Sequence, residues 1–231
     1  MILVAKKKTV FIVIMIIVIA AISVGAGVLA ATNISPKTTY KIVIDPGHGG
    51  IDNGVVGQSG TKESEFNLQM AKELKNFLTQ AGFEVILTRE DSGGLYGDAK
   101  DNFKKKDMQA RKNIVVKNNP DMIISIHANK YPDRNRRGAQ AFFDIHNEGG
   151  KALANNIQSG LNSLNTQYVE RSFTALSGDY FMLKCSHVPS VLIECGFLSN
   201  TEDEKLLNSS EYRLEMAFSI YSGIIGFLET I

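Results

Sequence analysis

Four residues of this chain have side chains suited to hydrolytic chemistry, and each stands at a break in local pattern: His48, Glu63, His127 and Glu194. His48 lies in KIVIDPGHGG, residues 41–50, an apolar run that ends in an acid, a proline and one histidine among glycines. Val and Ile suit a buried strand, but that ending does not. Pro46 stops a hydrogen-bond ladder, and Gly47, Gly49 and Gly50 let the backbone turn sharply beside a bulky partner. His48 is thus presented at a strand tip with little to pack against, as the first ligand of a metal site. His127 closes a second apolar run over 122–126, Glu194 follows Val191, Leu192 and Ile193, and Glu63 opens a helix after the glycine-rich loop. Two neutral imidazoles and one carboxylate, with a fourth position left to water, make a catalytic zinc site rather than a closed structural one. The remaining carboxylate then moves protons, taking one from water and returning one to a leaving amine. Glu194 suits that role, because a side chain at the end of a rigid apolar strand is partly desolvated and its pKa rises.

Residues so far apart must be gathered by the fold. Residues 42–44 read as a first strand. A helix follows with Phe66, Met70, Leu74, Phe77 and Ala81 on one stripe, ended by Gly82. Residues 83–87 form a second strand, 89–106 a polar loop, and about 107–118 a helix stopped by Pro120. A third strand at 122–126 and a fourth at 139–143 precede a helix marked by Leu153, Ile157, Leu161 and Leu164. Further strands fall at 180–183 and 191–193, and Leu214, Ala217, Phe218, Tyr221, Ile225 and Leu228 mark a closing helix. The alternation predicts an α/β fold: a single three-layer domain, its twisted sheet mostly parallel with helices on both faces. Ligands bind such sheets beyond the carboxyl ends of the strands, where His48, His127 and Glu194 all fall.

Composition narrows the function class. Lys6, Lys7 and Lys8 precede an almost unbroken apolar run over 10–31, so residues 1–35 read as a signal peptide or a retained membrane anchor. Either form leaves residues 36–231 exported across the cytoplasmic membrane, enough chain for one well-cored domain. A net charge of +1 argues against a general nucleic-acid binder. Cys185 and Cys195 do not make a disulfide framework and read as buried free thiols. The glycines do not form a phosphate loop: no Gly-Lys-Ser/Thr follows them.

DPGHGG at 45–50, SIHAN at 125–129 and IECGFLSN at 193–200 together resemble the signature blocks of zinc-dependent N-acetylmuramoyl-L-alanine amidases of the amidase-3 family. Gly60, Thr61, Lys62 and Glu63, with Asn67 and Leu68, resemble the segment that supplies the family's second ligand. The resemblance spans residues 36–231 in order and is strongest to the germination-specific subgroup of endospore formers. It implies zinc on His48, Glu63 and His127, with Glu194 as catalytic base. It also implies cleavage of the amide between the lactyl group of N-acetylmuramic acid and L-alanine of the peptidoglycan stem peptide. For the subgroup it implies removal of stem peptides in spore cortex, on the way to muramic δ-lactam, in the forespore envelope. One departure stands out: Ser64 and Glu65 replace the basic residue and acid that members often carry there. Glu63 and Glu65 cannot face the same way on a helix, so only one reaches the metal, and the resemblance favours Glu63.

Other residues keep two readings each. Asp45 either orients His48 or caps its own turn; Asn129 either fixes a substrate amide or shapes its loop. Arg89 and Arg111 either bind the acidic stem peptide or form ion pairs within the domain. Lys104, Lys105 and Lys106, with Arg134, Arg136 and Arg137, form either a steering rim or solvated loops. Short loops after the third and fourth strands predict an open site. With no wall-binding repeat visible, localisation and zinc retention fall to the membrane segment or an accessory envelope protein. A glycan-binding envelope protein without catalysis, and a zinc peptidase or deacetylase, are the competing functions.

Overall fold

Side chains alternate across a strand, so each strand divides its residues between two faces of the sheet. In the computed structural model, which describes residues 39–99 and 101–231, that division separates core from chemistry. Residues 39–231 form one compact unit; the expected leader over 1–35 lies outside the described residues. The elements run β1 (Lys41–Pro46), α1 (Glu63–Gln80), β2 (Glu84–Leu87), α2 (Phe103–Asn118), β3 (Met122–Asn129) and β4 (Gln140–Phe143). Then follow α3 (Glu148–Val169), β5 (Leu176–Ser177), a 3-10 turn (Phe181–Lys184), β6 (Ser190–Phe197), α4 (Thr201–Asn208) and α5 (Ser210–Leu228). The six strands lie in the order β2-β1-β3-β6-β4-β5, all neighbours parallel except β4 against β6.

Ile42, Ile44, Ile124, Ile126, Val191, Ile193 and Cys195 point to one face and join apolar residues of α1, α3 and α5 in the main core. Val43 and Ile123 point the other way, into a smaller core with Val115 of α2, Met182 and Cys185. Farther along the strands on this second face come Asp45, Ser125, His127 and Glu194. The polar residues are therefore carried at the carboxyl ends, on the side that α2 covers. His127 is in register with Glu194, and Glu194 with Gln140, so three adjacent strands carry these side chains in one row.

The structure differs from the sequence expectations at four places. First, α2 starts at Phe103, placing Lys104, Lys105 and Lys106 in its first turn rather than in a loop. No side-chain cap marks that start; Asn102 is left-handed, and Phe103 is set by edge-on packing against Tyr96 at 5.4 Å. Second, residues 180–183 are not a strand. Tyr180 leads into the 3-10 turn, whose Met182 and Leu183 are both buried, which a half-exposed strand forbids. Third, the poorly patterned stretch 165–177 is in part helix. α3 runs to Val169 and is ended by Glu170 at φ 57°, and β5 has only two residues. Fourth, the buried face of α5 is Tyr212, Met216, Ile220, Ile224 and Phe227, whereas Leu214 and Phe218 are 45% and 54% exposed. α5 is apolar around most of its girth, so periodicity does not select a face. Gly223 does: a Cβ there would lie 2.8 Å from the Ile157 backbone nitrogen, so α3 can press against that face only. Cys185 and Cys195 are both free and buried, as expected.

Candidate metal centre

The histidine of the first motif is held by its backbone. His48 adopts φ 61°, a left-handed conformation that costs a non-glycine residue about 1–3 kcal/mol unless its surroundings enforce it. Arg111 of α2 enforces it, donating from Nη2 to the His48 carbonyl at 2.6 Å and from Nη1 to the Pro46 carbonyl at 2.7 Å. Gly47 makes room for the second histidine, because a Cβ there would collide with the His127 ring. Gly54, at φ 65°, makes room for the acid: a Cβ would meet the Glu63 carboxylate and lie 2.8 Å from His48 Cδ2.

Glu63 is the first residue of α1, at the positive end of that helix. Its Oε1 lies 3.2 Å from His48 Nε2 and 2.9 Å from His127 Nδ1, and the three donor atoms fall within 4.8 Å of one another. Val55 N–H donates to Oε2 at 2.8 Å, Ala128 N–H to Oε1 at 3.3 Å and Asn67 Nδ2 to Oε1 at 3.4 Å, which fix the carboxylate. The other nitrogen of His48, Nδ1, is 3.0 Å from Asp52 Oδ2. That pairing puts the proton on Nδ1 and leaves Nε2 open to a metal. Beside the three, Glu194 Oε2 is buried with no hydrogen-bond partner among the described residues. Two imidazoles and a carboxylate within 4.8 Å, with an unpartnered carboxylate oxygen on the neighbouring strand, form a donor set that fits zinc with its water.

Without a metal, the same contacts set the charges, and binding one at His48 would displace a proton. Burial pushes the His48 pKa down, but bonds and charges from Glu63 and then Asp52 outweigh it and raise the imidazolium to about 9. Burial likewise raises Glu63, yet hydrogen bonds from His127 and His48 hold its carboxyl well below the usual range. Glu194 has no such bonds. Burial dominates there, partly countered by His127 and reinforced by Glu63, and lifts it to about 7.

Asp45 takes neither expected role. It is fully buried, accepting from Thr88 Oγ1 at 2.6 Å, Arg111 Nη1 at 2.7 Å and Ser125 Oγ at 2.9 Å. It neither touches His48 nor caps its turn; it anchors the guanidinium that shapes the motif. Asp107 completes the anchor, 2.6 Å from Arg111 Nε. Arg89 and Arg111 are 3% and 1% exposed. Arg89 Nε donates to the Pro46 carbonyl at 3.0 Å, and its Nη2 to Gly47 at 3.0 Å and Ser64 at 2.8 Å. Both arginines therefore act inside the domain and are closed to a stem peptide. Asn129 accepts from Lys130 N–H at 2.7 Å at a register shift between β3 and β6, and it also lines a second cavity, so both its readings stand. Glu65 points to solvent and pairs with Lys62 at 2.9 Å, leaving Glu63 as the carboxylate at the centre.

Two further residues belong to the site. Asp52 carries a local signal: an acid before Asn53 and Gly54, four residues after His48, turning the chain back through Gly54 N–H at 3.3 Å. Tyr180 carries none, since only the fold brings it to the centre. The cavity of about 240 Å³ over the centre is lined by His48, Asp52, Lys104, His127, Tyr180 and Phe181, among others. Burial, then the charge of Glu194, raises the Tyr180 phenol above its usual value.

The amidase-3 family model, described as N-acetylmuramoyl-L-alanine amidase, matches residues 42–226. The germination-specific N-acetylmuramoyl-L-alanine amidase of Bacillus subtilis (strain 168) is 33% identical over 195 residues, covering 83% of this chain and 81% of the relative. The CwlD amidase of Clostridioides difficile, solved in complex with the GerS lipoprotein, aligns at a TM-score of 0.78 and 34% identity, over 83% of this chain and 100% of that one. An N-acetylmuramoyl-L-alanine amidase of Clostridium difficile 630 aligns at a TM-score of 0.73 and 28% identity, over 84% and 99% of the two chains.

Proposed function

This chain belongs to the N-acetylmuramoyl-L-alanine amidase family, and we propose that it is a zinc enzyme that cuts the lactyl–L-alanine amide of peptidoglycan stem peptides. The catalytic domain is residues 36–231. His48, Glu63 and His127 hold the metal, and zinc bound there supplies Lewis acidity, which polarises a carbonyl and acidifies water near neutral pH. Asp52 keeps the His48 tautomer that leaves Nε2 free. Glu194 takes a proton from the attacking water and delivers it to the departing alanine amine. Burial, which raises its carboxyl above the ordinary value, favours uptake of that proton. The observation that carries this reading is the unpartnered buried oxygen of Glu194, in register with His127.

Product masses test it. Incubated with a muramyl peptide, the zinc-loaded protein should leave a free lactyl carboxyl on the sugar and a peptide that begins with L-alanine. A cut within the peptide, or loss of an acetyl group, would assign a peptidase or a deacetylase instead.

The relatives support a finer role. A germination-specific relative at 33% identity supports action on spore cortex, on the way to muramic δ-lactam, in the forespore envelope beyond the cytoplasmic membrane. The basic and apolar leader over 1–35 supports export, and a neighbour solved with a lipoprotein supports an accessory envelope protein as partner. A strain lacking this chain should build cortex without δ-lactam; lactam at the parental level would remove the cortex assignment.

A further inference from the structure

A second cavity, about 470 Å³ in volume, reaches from Asn129 of β3, two residues past His127, to β4. Gln140, the register partner of Glu194, forms part of its wall, and Phe142, two residues on, packs edge-on against Tyr180 at 5.5 Å. Tyr180 lines the cavity over the metal centre, so the Phe142–Tyr180 contact joins one wall of each cavity.

The lining has a definite chemistry. Phe142, Leu176 and Phe197 give it an apolar side, and Arg136 and Arg171 give it two guanidinium groups. Arg136 is positioned: its guanidinium lies 4.9 Å from the Phe173 ring centroid and 5.7 Å from that of Phe197, and Nη2 donates to Gln140 Oε1 at 2.9 Å. Gln140 is fixed in turn by donating from Nε2 to the Thr174 carbonyl at 2.9 Å. Neither Arg136 nor Arg171 forms an ion pair with a carboxylate among the described residues. Arg137, in contrast, is paired with Asp203 at 2.9 Å. The one acid in the lining, Asp133, accepts the Asn135 N–H at 2.9 Å. The cavity thus offers two guanidinium groups without an ion pair among the described residues, and a carboxylate is the anion whose shape a guanidinium matches.

We propose that this cavity is a subsite for a carboxylate on the peptide side of the substrate, gripped by Arg136 and Arg171. The proposal rests on the amidase reading and adds to it the substrate feature that is recognised. Adjacent strands are about 5 Å apart and an extended peptide advances about 3.3 Å per residue, so a carboxylate two or three residues from the cut reaches past Gln140. The subsite thus selects free acids over amidated peptides.

The test compares two substrates on the zinc-loaded full chain: N-acetylmuramoyl-L-alanyl-glutamate and the same compound with both carboxyls amidated. The protein should prefer the acid by about tenfold or more in kcat/KM, chiefly through KM, as expected for a charge-assisted contact made equally in ground and transition states. Arg136→Gln and Arg171→Gln should each bring that preference towards one. Because the ratio is taken on a single sample, loss of folded protein cancels out of it. Equal turnover of acid and amide by the unaltered protein overturns the subsite while leaving the amidase reading intact. A preference that survives both substitutions overturns it as well. Turnover of neither compound removes the amidase reading, and the subsite with it.

Discussion

Arg111 Nη2 donates to the carbonyl of His48 across 63 residues at 2.6 Å, and this bond keeps a metal-site histidine in a backbone conformation it would otherwise avoid. The same guanidinium satisfies two buried carboxylates, Asp45 at 2.7 Å and Asp107 at 2.6 Å. One side chain thereby links the stability of the domain to the shape of its centre.

Arg111→Met leaves Asp45 buried and unpaired, which costs about 3–5 kcal/mol. Denaturant unfolding should register that loss, and zinc content should fall because His48 is no longer held. Arg111→Lys should recover little of either, since one ammonium cannot replace a fork that reaches four acceptors. Full stability of the Met variant would show that the network contributes nothing.

Gly47→Ala tests the packing of the two histidines. The added Cβ would stand 2.7 Å from His127 Nδ1 and nearer still to other ring atoms. Zinc content and peptide release should both collapse while far-ultraviolet circular dichroism stays native. Gly60→Ala is the control: φ is +92° but nothing lies within 4 Å, so it should cost only about 1 kcal/mol and keep its zinc. Normal zinc binding by Gly47→Ala would contradict this role for the motif.

Asp52→Asn removes the charge that faces His48 Nδ1. Groups that orient a metal-bound histidine in this way are worth about 10–100-fold in metal affinity. Competition against a chromophoric chelator should show a loss in that range. Unchanged affinity would relegate Asp52 to turn chemistry.

Glu194 should make the metal-free domain less stable as pH rises. Its folded pKa of about 7 exceeds the ordinary 4.5, so folding favours the protonated form. Both states hold the proton below about 4.5, and no ionic penalty exists there. Between 4.5 and 7 the unfolded chain ionises first and the penalty grows, levelling off above 7 at up to about 3 kcal/mol. In chelator, Glu194→Gln should therefore gain stability over the unaltered protein across that window. A difference that does not vary with pH would show that Glu194 is not perturbed.

Much of the site is legible in the sequence because strand ends stand out as broken apolar runs. His48, His127 and Glu194 all sit at such breaks, and parallel packing brings their strands side by side. Asp45 is not legible in this way: its meaning depends on Arg111, Thr88 and Ser125, which local pattern does not connect to it. Tyr180 is hidden beside a 3-10 turn whose apolar residues imitate a strand. The buried face of α5 is set by close approach at Gly223, a packing choice among nearly equivalent apolar stripes.

The central claim is that Glu194 moves the proton while His48, Glu63 and His127 hold zinc, and one paired measurement tests it. Zinc content and the rate of peptide release from a muramyl peptide are measured together for the unaltered protein and for Glu194→Gln. Proton transfer by Glu194 predicts equal zinc and a rate lower by about 10²–10⁴-fold in the variant. Turnover at the unaltered rate with zinc in place would contradict it.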